Sequence, residues 1–146
     1  MKNTAYEVEK KLRNICFLVK IEGRKVLKNF DISTAQFDLL QILYFKDRKK
    51  LSDISKILGV TKSTTTGLIQ RLELMSLLTK EQSEKDKRVF EVVITEEGRK
   101  IIDQVLNRRL ELINKVIEKM GKDETFIEKL IKLKNTLNEV VEGDEL

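Results

Sequence analysis

The stretch Glu84–Gly98, EKDKRVFEVVITEEG, sets four consecutive charged residues (Lys85, Asp86, Lys87 and Arg88) directly before the run VFEVVIT. Phe90, Val92 and Ile94 alternate with their neighbours, the pattern of a strand with one buried face. With the residues before it, LTKEQSEKDKRVFEVVIT reads as two short strands around a charged turn. The charge therefore falls on the tip of a hairpin, and what flanks that hairpin decides the fold.

Downstream, Thr95 caps a helix whose stripe runs through Ile101, Ile102, Val105, Leu106, Leu110, Ile113, Val116, Ile117 and Met120 to a stop at Gly121. A last helix, from Lys122 to Val141, carries Phe126, Leu130, Leu133, Leu137 and Val140. Upstream, LSDISKILGV offers Ser52 as N-cap, Ile54, Ile57 and Leu58 as an inner face, and Gly59 as a terminator. TKSTTTGLIQRLELMSLL follows at once, with Thr61 as cap and Leu68, Ile69, Leu72 and Met75 inward. Before them KDRKK is a polar connection, and Ser33 with Gln36 forms a capping box for a helix with Phe37, Leu40 and Leu43 inside. Residues 5–29 read as a first helix on Val8, Leu12, Ile15, Val19 and Val26. The expected class is mainly α with a small β-hairpin, and without proline or a Gly/Ser linker nothing marks a domain break.

Composition removes most catalytic devices. There is one cysteine, Cys16, and no histidine, so an intrachain disulfide, multi-cysteine zinc sites and His-dependent triads are excluded. The six glycines are not spaced as a phosphate loop. The expectation is no catalytic residue, no metal and no cofactor. No apolar run reaches the roughly 18 residues of a membrane span, and MKNTAYEVEKKL lacks a signal peptide's apolar core. The chain is expected to be cytoplasmic, with no membrane partner. Its net charge of +5 is uneven: residues 46–88 carry 11 basic and 6 acidic groups, residues 89–146 carry 10 and 13. The positive excess lies where the hairpin is, as a footprint for a polyanion would.

The two short helices joined through Gly59 have the form of a helix-turn-helix. The first turns of the second expose Lys62, Ser63, Thr64, Thr66 and Gln70, side chains able to bond base edges and phosphates. Three threonines and a serine lower helix propensity without a packing gain, which favours a binding role over a bland surface. A hairpin directly after a helix-turn-helix is a wing. Arg88 at its tip suits the negative minor groove, Asp86 would orient it through paired hydrogen bonds, and Lys85 and Lys87 suit phosphates. Taken alone, a solvated turn of opposed charges reads the same way.

From Ile32 to Gly98 the chain resembles the MarR family of winged-helix transcriptional regulators. The resemblance rests on ISTAQFDLLQIL, LSDISKILGVTKSTTTGLIQRLE and DKRVFEVVITEEG, with Asp86, Arg88, Thr95 and Gly98 in the family's order. It implies a winged helix-turn-helix region (31–95) flanked by helical dimerisation regions (1–30 and 96–146), intertwined as one domain. It also implies a homodimer on a palindromic site in double-stranded DNA, with half-sites about 34–36 Å apart. The bottom-up reading agrees, since the wide terminal stripes have little core of their own to cover them. Arg71 is expected at either the DNA backbone or the wing carboxylate.

Two departures stand out. Ser76 occupies the turn where the family usually has glycine, so a left-handed residue there carries strain, and Lys80 replaces the usual arginine. Cys16, in NICFLVK, sits where the peroxide-sensing branch of the family has a reactive cysteine, but Lys20, Phe30 and Thr34 stand where that branch has tyrosines. A small buried hydrophobe and a redox thiol helped by Lys20 are its two readings. Relatives bind small aromatic acids in a crevice, for which Arg13, Phe17 and Lys20 are candidates. The expected function is a DNA-binding regulator, a repressor released by a small aromatic or anionic effector. The alternatives are a thiol-based peroxide sensor and a winged-helix module that binds an acidic protein.

Overall fold

A computed structural model describes residues 3–46 and 48–144. The outermost residues of the expected dimerisation regions (1–2 and 145–146), and Asp47 of the polar connection, lie outside them. The elements run α1 (Thr4–Arg24), a 3-10 turn (Lys25–Asn29), α2 (Thr34–Lys46), β1 (Lys49–Lys50), α3 (Leu51–Leu58), α4 (Lys62–Leu74), β2 (Leu78–Gln82), β3 (Phe90–Ile94), α5 (Glu96–Met120) and α6 (Glu124–Asp144). Two compact units divide the chain, Met1–Leu112 and Ile113–Leu146.

Capping signals in the sequence set most boundaries. The Ser33 hydroxyl accepts from the Gln36 N–H at 3.2 Å, and the Gln36 side chain accepts from the Ser33 N–H at 2.8 Å, closing the box at the head of α2. The Thr61 hydroxyl accepts from the Thr64 N–H at 3.2 Å, and Thr95 does the same for Gly98 at 3.1 Å. Gly59 ends α3 with φ +68°. Ser52 is no cap: α3 begins at Leu51 straight out of β1, with Lys50 in the cap position and no side-chain bond. The first helix turns into a 3-10 segment at Lys25, and α6 starts at Glu124 because Asp123 takes the Thr125 N–H at 3.0 Å.

The core of the first unit gathers Phe37, Leu39, Leu40 and Leu43 of α2 with Ile54, Ile69 and Leu72 of the helix-turn-helix. Leu78, Val92 and Ile94 of the sheet, Ile101, Ile102 and Val105 of α5, and Leu27 and Leu77 complete it. The sheet has three antiparallel strands in the order β1-β3-β2, one more than the hairpin expected. Lys49 pairs with Val92 and Lys50 with Glu91. A two-residue strand is too short to show any alternation, so KDRKK read as a connection.

Three residues expected inward are exposed: Ile57, Met75 and Phe90. The apolar spacing of each element is real, but the cover ends before these positions. In α1 the expected stripe members Val8 and Ile15 are exposed too, as are Leu110 of α5 and, in the second unit, Ile113, Val116, Ile117 and Met120. No described residue of the second unit is buried within this single chain.

One turn connects helix to wing. Ser76, after α4, adopts φ +59°, the one positive φ among described non-glycine residues. The Ser76 N–H donates to Glu73 O at 3.0 Å and the Leu77 N–H to Leu72 O at 3.0 Å, the paired bonds of a left-handed helix terminator. The Leu77 carbonyl then accepts from Thr95 N–H at 3.1 Å, and Gly98 approaches that carbonyl so closely that any Cβ would collide with it. Because serine in this conformation is strained by about 1 kcal/mol or more, Ser76→Gly should raise stability by roughly 0.5–1 kcal/mol. Urea unfolding monitored by circular dichroism checks this; an unchanged or lowered midpoint would contradict it.

Candidate nucleic-acid interface

The helix-turn-helix is pinned internally by a buried pair of hydroxyls. Ser55 Oγ of α3 donates to Thr65 Oγ1 of α4 at 2.7 Å, and Thr65 donates in turn to Thr61 O at 3.0 Å. Thr65 is fully buried, so both of its polar functions are satisfied inside the protein. That fixes the rotation of α4 and presents Lys62, Ser63, Thr64, Gln70 and Arg71 to solvent. Thr66 is only half-exposed, and its hydroxyl donates to Lys62 O at 2.8 Å, leaving it an acceptor only. Thr64 receives a hydrogen bond from the Thr61 hydroxyl at 3.0 Å. Among the described residues Arg71 makes no ion pair, and the wing carboxylate, one of the two places expected for it, is taken by Arg88.

The wing tip is a built structure. Ser83 is buried, with its N–H donating to Val89 O at 2.8 Å, and the Gln82 side-chain amide donates to Lys87 O at 2.6 Å. Asp86 accepts three hydrogen bonds from Arg88: from Nε at 3.1 Å, from the second guanidinium nitrogen at 3.3 Å and from the backbone N–H at 3.1 Å. The Arg88 side chain is nonetheless 90% exposed, so the carboxylate aims a guanidinium that stays open to solvent. These bonds, side chain first and backbone second, hold the Asp86 carboxyl below the ordinary carboxylate range, and the charge of Lys50 acts the same way. A lowered folded pKa means the pairing is at full strength above the unfolded value and is lost as pH falls through the folded one. Lys85 and Lys87 are exposed beside it.

Sequence reasoning passed over Lys50. It lies on β1, opposite Glu91, and its charge reaches Asp86. The only hint was the basic run RKK, since its place beside the wing depends on a strand too short to recognise. Arg48, two residues earlier, pairs with Glu81 and, at 3.6 Å, with Glu91, tying β1 to both wing strands. Lys80 pairs with Glu73 of α4 at 3.7 Å.

A second feature of the first unit is a cleft of about 630 Å³ among α1, α2, α3 and α5. Its apolar lining includes Ile15, Val19, Phe37, Ile42, Phe45, Ile57 and Leu58, and its cations are Lys20, Arg24, Lys46 and Arg109. Asp38 is the acid in the lining and accepts from Arg24 at 3.3 Å. The Nε atoms of Arg24 and Arg109 are buried without a partner, and burial followed by the Arg24 charge pushes the Arg109 guanidinium below its ordinary range. Of the three candidates for this crevice only Lys20 lines it. Arg13 is paired with Glu9 at 2.8 Å, and Phe17 is exposed elsewhere on α1. Cys16 is exposed within the single chain and lines the cleft.

Among the described residues no helix is long and apolar enough to cross a membrane. The MarR family model matches residues 32–90, the segment from the head of α2 into β3. The HTH-type transcriptional regulator YsmB of Bacillus subtilis (strain 168) is 31% identical over 133 residues, covering 90% of this chain and 91% of its own. The solved structure of the transcriptional regulator Tm0710 from Thermotoga maritima is 42% identical, covers 95% of this chain and 96% of its own, and superposes with a TM-score of 0.75. A MepR mutant from S. aureus bound to an oligodeoxyribonucleotide shares the fold at 21% identity and a TM-score of 0.62, over 91% of this chain and 97% of its own. With a capped helix-turn-helix, a three-stranded wing and these relatives, the chain belongs to the MarR family of DNA-binding winged helix-turn-helix transcriptional regulators.

Proposed function

We propose that the protein is a repressor that binds a palindromic operator as a homodimer and is released by a small anionic or aromatic effector. The carrying observation is the wing tip, where Asp86 holds a 90% exposed Arg88 in a forked hydrogen bond. Arg88 enters the minor groove, and Lys85, Lys87 and Lys50 meet phosphates beside it. Lys62, Ser63, Thr64 and Gln70 face the major groove, Thr66 adds an acceptor, and Arg71 lies along the backbone. MepR, which has this fold, was captured on an oligodeoxyribonucleotide, and that supports the reading.

Fluorescence anisotropy with a duplex from the protein's own upstream region, at several salt concentrations, tests it. The wild type should prefer this duplex to random DNA with a steep salt slope. Arg88→Ala should bind about tenfold more weakly and lose about one unit of slope. Binding without preference or salt dependence would overturn the DNA reading and favour an acidic protein partner.

The dimer is supported by exposed apolar side chains that a soluble monomer would not leave bare: Ile15, Phe17, Leu18 and Ile21 on α1, and Ile117, Phe126, Leu130 and Val140 in the second unit. Light scattering should give twice the 17.0 kDa chain mass, and Ile117→Glu with Leu130→Glu should abolish both that mass and operator binding. A monomer that still binds the operator would refute the dimer.

The effector reading rests on the cleft, where four cations face one acid over an apolar floor and two guanidinium nitrogens lack partners. The exposure of Cys16 at the same cleft keeps a thiol trigger as its rival. Challenging the DNA complex with benzoate and with an organic hydroperoxide separates them. Release by benzoate that survives Cys16→Ser supports the effector, whereas release by peroxide alone, lost in Cys16→Ser, supports the thiol.

A further inference from the structure

We propose that Phe90 is a DNA-contact residue, its ring packing on the deoxyribose edge of the duplex backbone in the notch between the recognition helix and the wing. This rests on the DNA-binding reading above and adds to it an apolar contact.

Strand register sets the argument. Direct partners across antiparallel strands share a face, so Leu78, Lys80 and Gln82 lie with Ile94, Val92 and Phe90 on one side of the hairpin. Lys80 pairs with Glu73 of α4 at 3.7 Å, which turns this side toward the recognition helix. Along β3 the protein's cover then stops abruptly: Ile94 and Val92 are buried, while Phe90, two residues further out, is 59% exposed. β1 pairs only as far as Glu91 and does not reach it. Phe90 takes no part in the core cluster. Its cross-strand neighbour Gln82 bonds Lys87 O, which fixes the strand end on which the ring stands.

The surroundings name the occupant. Lys80 shares the face of this ring, and Lys87 and Arg88 precede it by three and two residues, all exposed; such charges suit a polyanion rather than an apolar protein surface. A phenyl ring has nothing to offer a phosphate. The apolar part of a nucleic-acid backbone is the C–H edge of the sugar, which lies between the phosphates that the lysines hold. A backbone strand running from the major groove read by α4 to the minor groove entered by Arg88 passes through this notch. The contact is not electrostatic, so it adds affinity without releasing counterions.

The test uses the full-length protein and the same upstream duplex. Phe90→Ala should weaken binding about tenfold, the change expected for burying roughly half a phenyl ring. The salt slope and the urea midpoint should both stay at wild-type values, and Phe90→Tyr should bind within about twofold of wild type. In protein labelled with fluorophenylalanine, the ¹⁹F resonance missing from Phe90→Ala should shift when duplex is added. The proposal is overturned if Phe90→Ala binds like wild type, if its loss of affinity tracks a fall in the urea midpoint, or if the Phe90 resonance stays put while duplex is bound. Absence of duplex binding by the wild type is a different failure. It would overturn the DNA-binding reading itself and this contact with it.

Discussion

The left-handed turn at Ser76 is the constraint on which the DNA-facing half of the molecule depends. It reverses the chain between α4 and β2, so recognition helix and wing stand side by side instead of in line. The same few residues anchor the next helix: Ser76 O accepts from the Thr95 hydroxyl at 2.7 Å, and Leu77 O accepts from the Thr95 N–H at 3.1 Å. Serine in this conformation costs about 1–2 kcal/mol. Two terminator hydrogen bonds, each worth roughly 0.5–1.5 kcal/mol, and burial of Ile69, Leu72 and Leu78 at roughly 1.5–3 kcal/mol each outweigh it. The strain is tolerated because the turn is over-determined by what lies on either side. Gly98 shows the other half of the same constraint, since the carbonyl of Leu77 occupies the space a side chain would need.

Stability does not account for the wing's charges. An exposed ion pair contributes little to stability, and Asp86–Arg88 is such a pair, with Arg88 almost fully in solvent. What the pairing does supply is direction, because two hydrogen bonds from the guanidinium to a carboxylate that the Arg88 backbone N–H also holds leave it few orientations. Arg48 acts similarly on a larger scale, bonding Glu81 and Glu91 so that β1, β2 and β3 move together. On the proposed reading, a wing braced in this way would give up less freedom on meeting a duplex, and that saving would appear as affinity. Electrostatics here preorganises a surface whose fold is set by Val92, Ile94 and their apolar neighbours.

Local chemistry made much of this legible in the sequence. The Ser33/Gln36 box, Thr61, Thr95 and Gly59 each announce a helix end through bonds made within a few residues, and each end lies where it was expected. The strand alternation after a charged turn, set behind a helix-turn-helix, pointed to the wing and to the pairing of Asp86 with Arg88, and the family motif agreed. What failed was whatever depends on distant parts of the chain. Ser52 looks like a cap until β1 is known to run directly into α3. Ile57, Met75 and Phe90 sit at correct apolar spacings, yet spacing defines a face and says nothing about whether another element covers it. Lys50 joins the wing only through a two-residue pairing, and Thr66 lost part of its expected role to the carbonyl of Lys62.

That last detail bears on how the recognition surface divides its work. Short hydroxyl side chains on a helix compete with solvent for the carbonyl one turn back, and Thr65 and Thr66 both make that bond. The hydroxyl proton of Thr61 goes to Thr64, which therefore enters any interface already accepting one hydrogen bond. On the proposed reading, the exposed groups left to discriminate base edges are chiefly Ser63, Gln70 and Lys62, few for a recognition helix of 13 residues. Phosphate-directed charges are more plentiful: Lys50, Lys85, Lys87 and Arg71 are all exposed. On that same reading the interface would bind DNA strongly through its backbone and read sequence from a short list of contacts plus groove shape at Arg88. Selectivity must then come from repetition. In the proposed dimer, two copies set at a fixed spacing would multiply a modest preference per half-site into a usable one, which would make dimerisation part of how the operator is recognised.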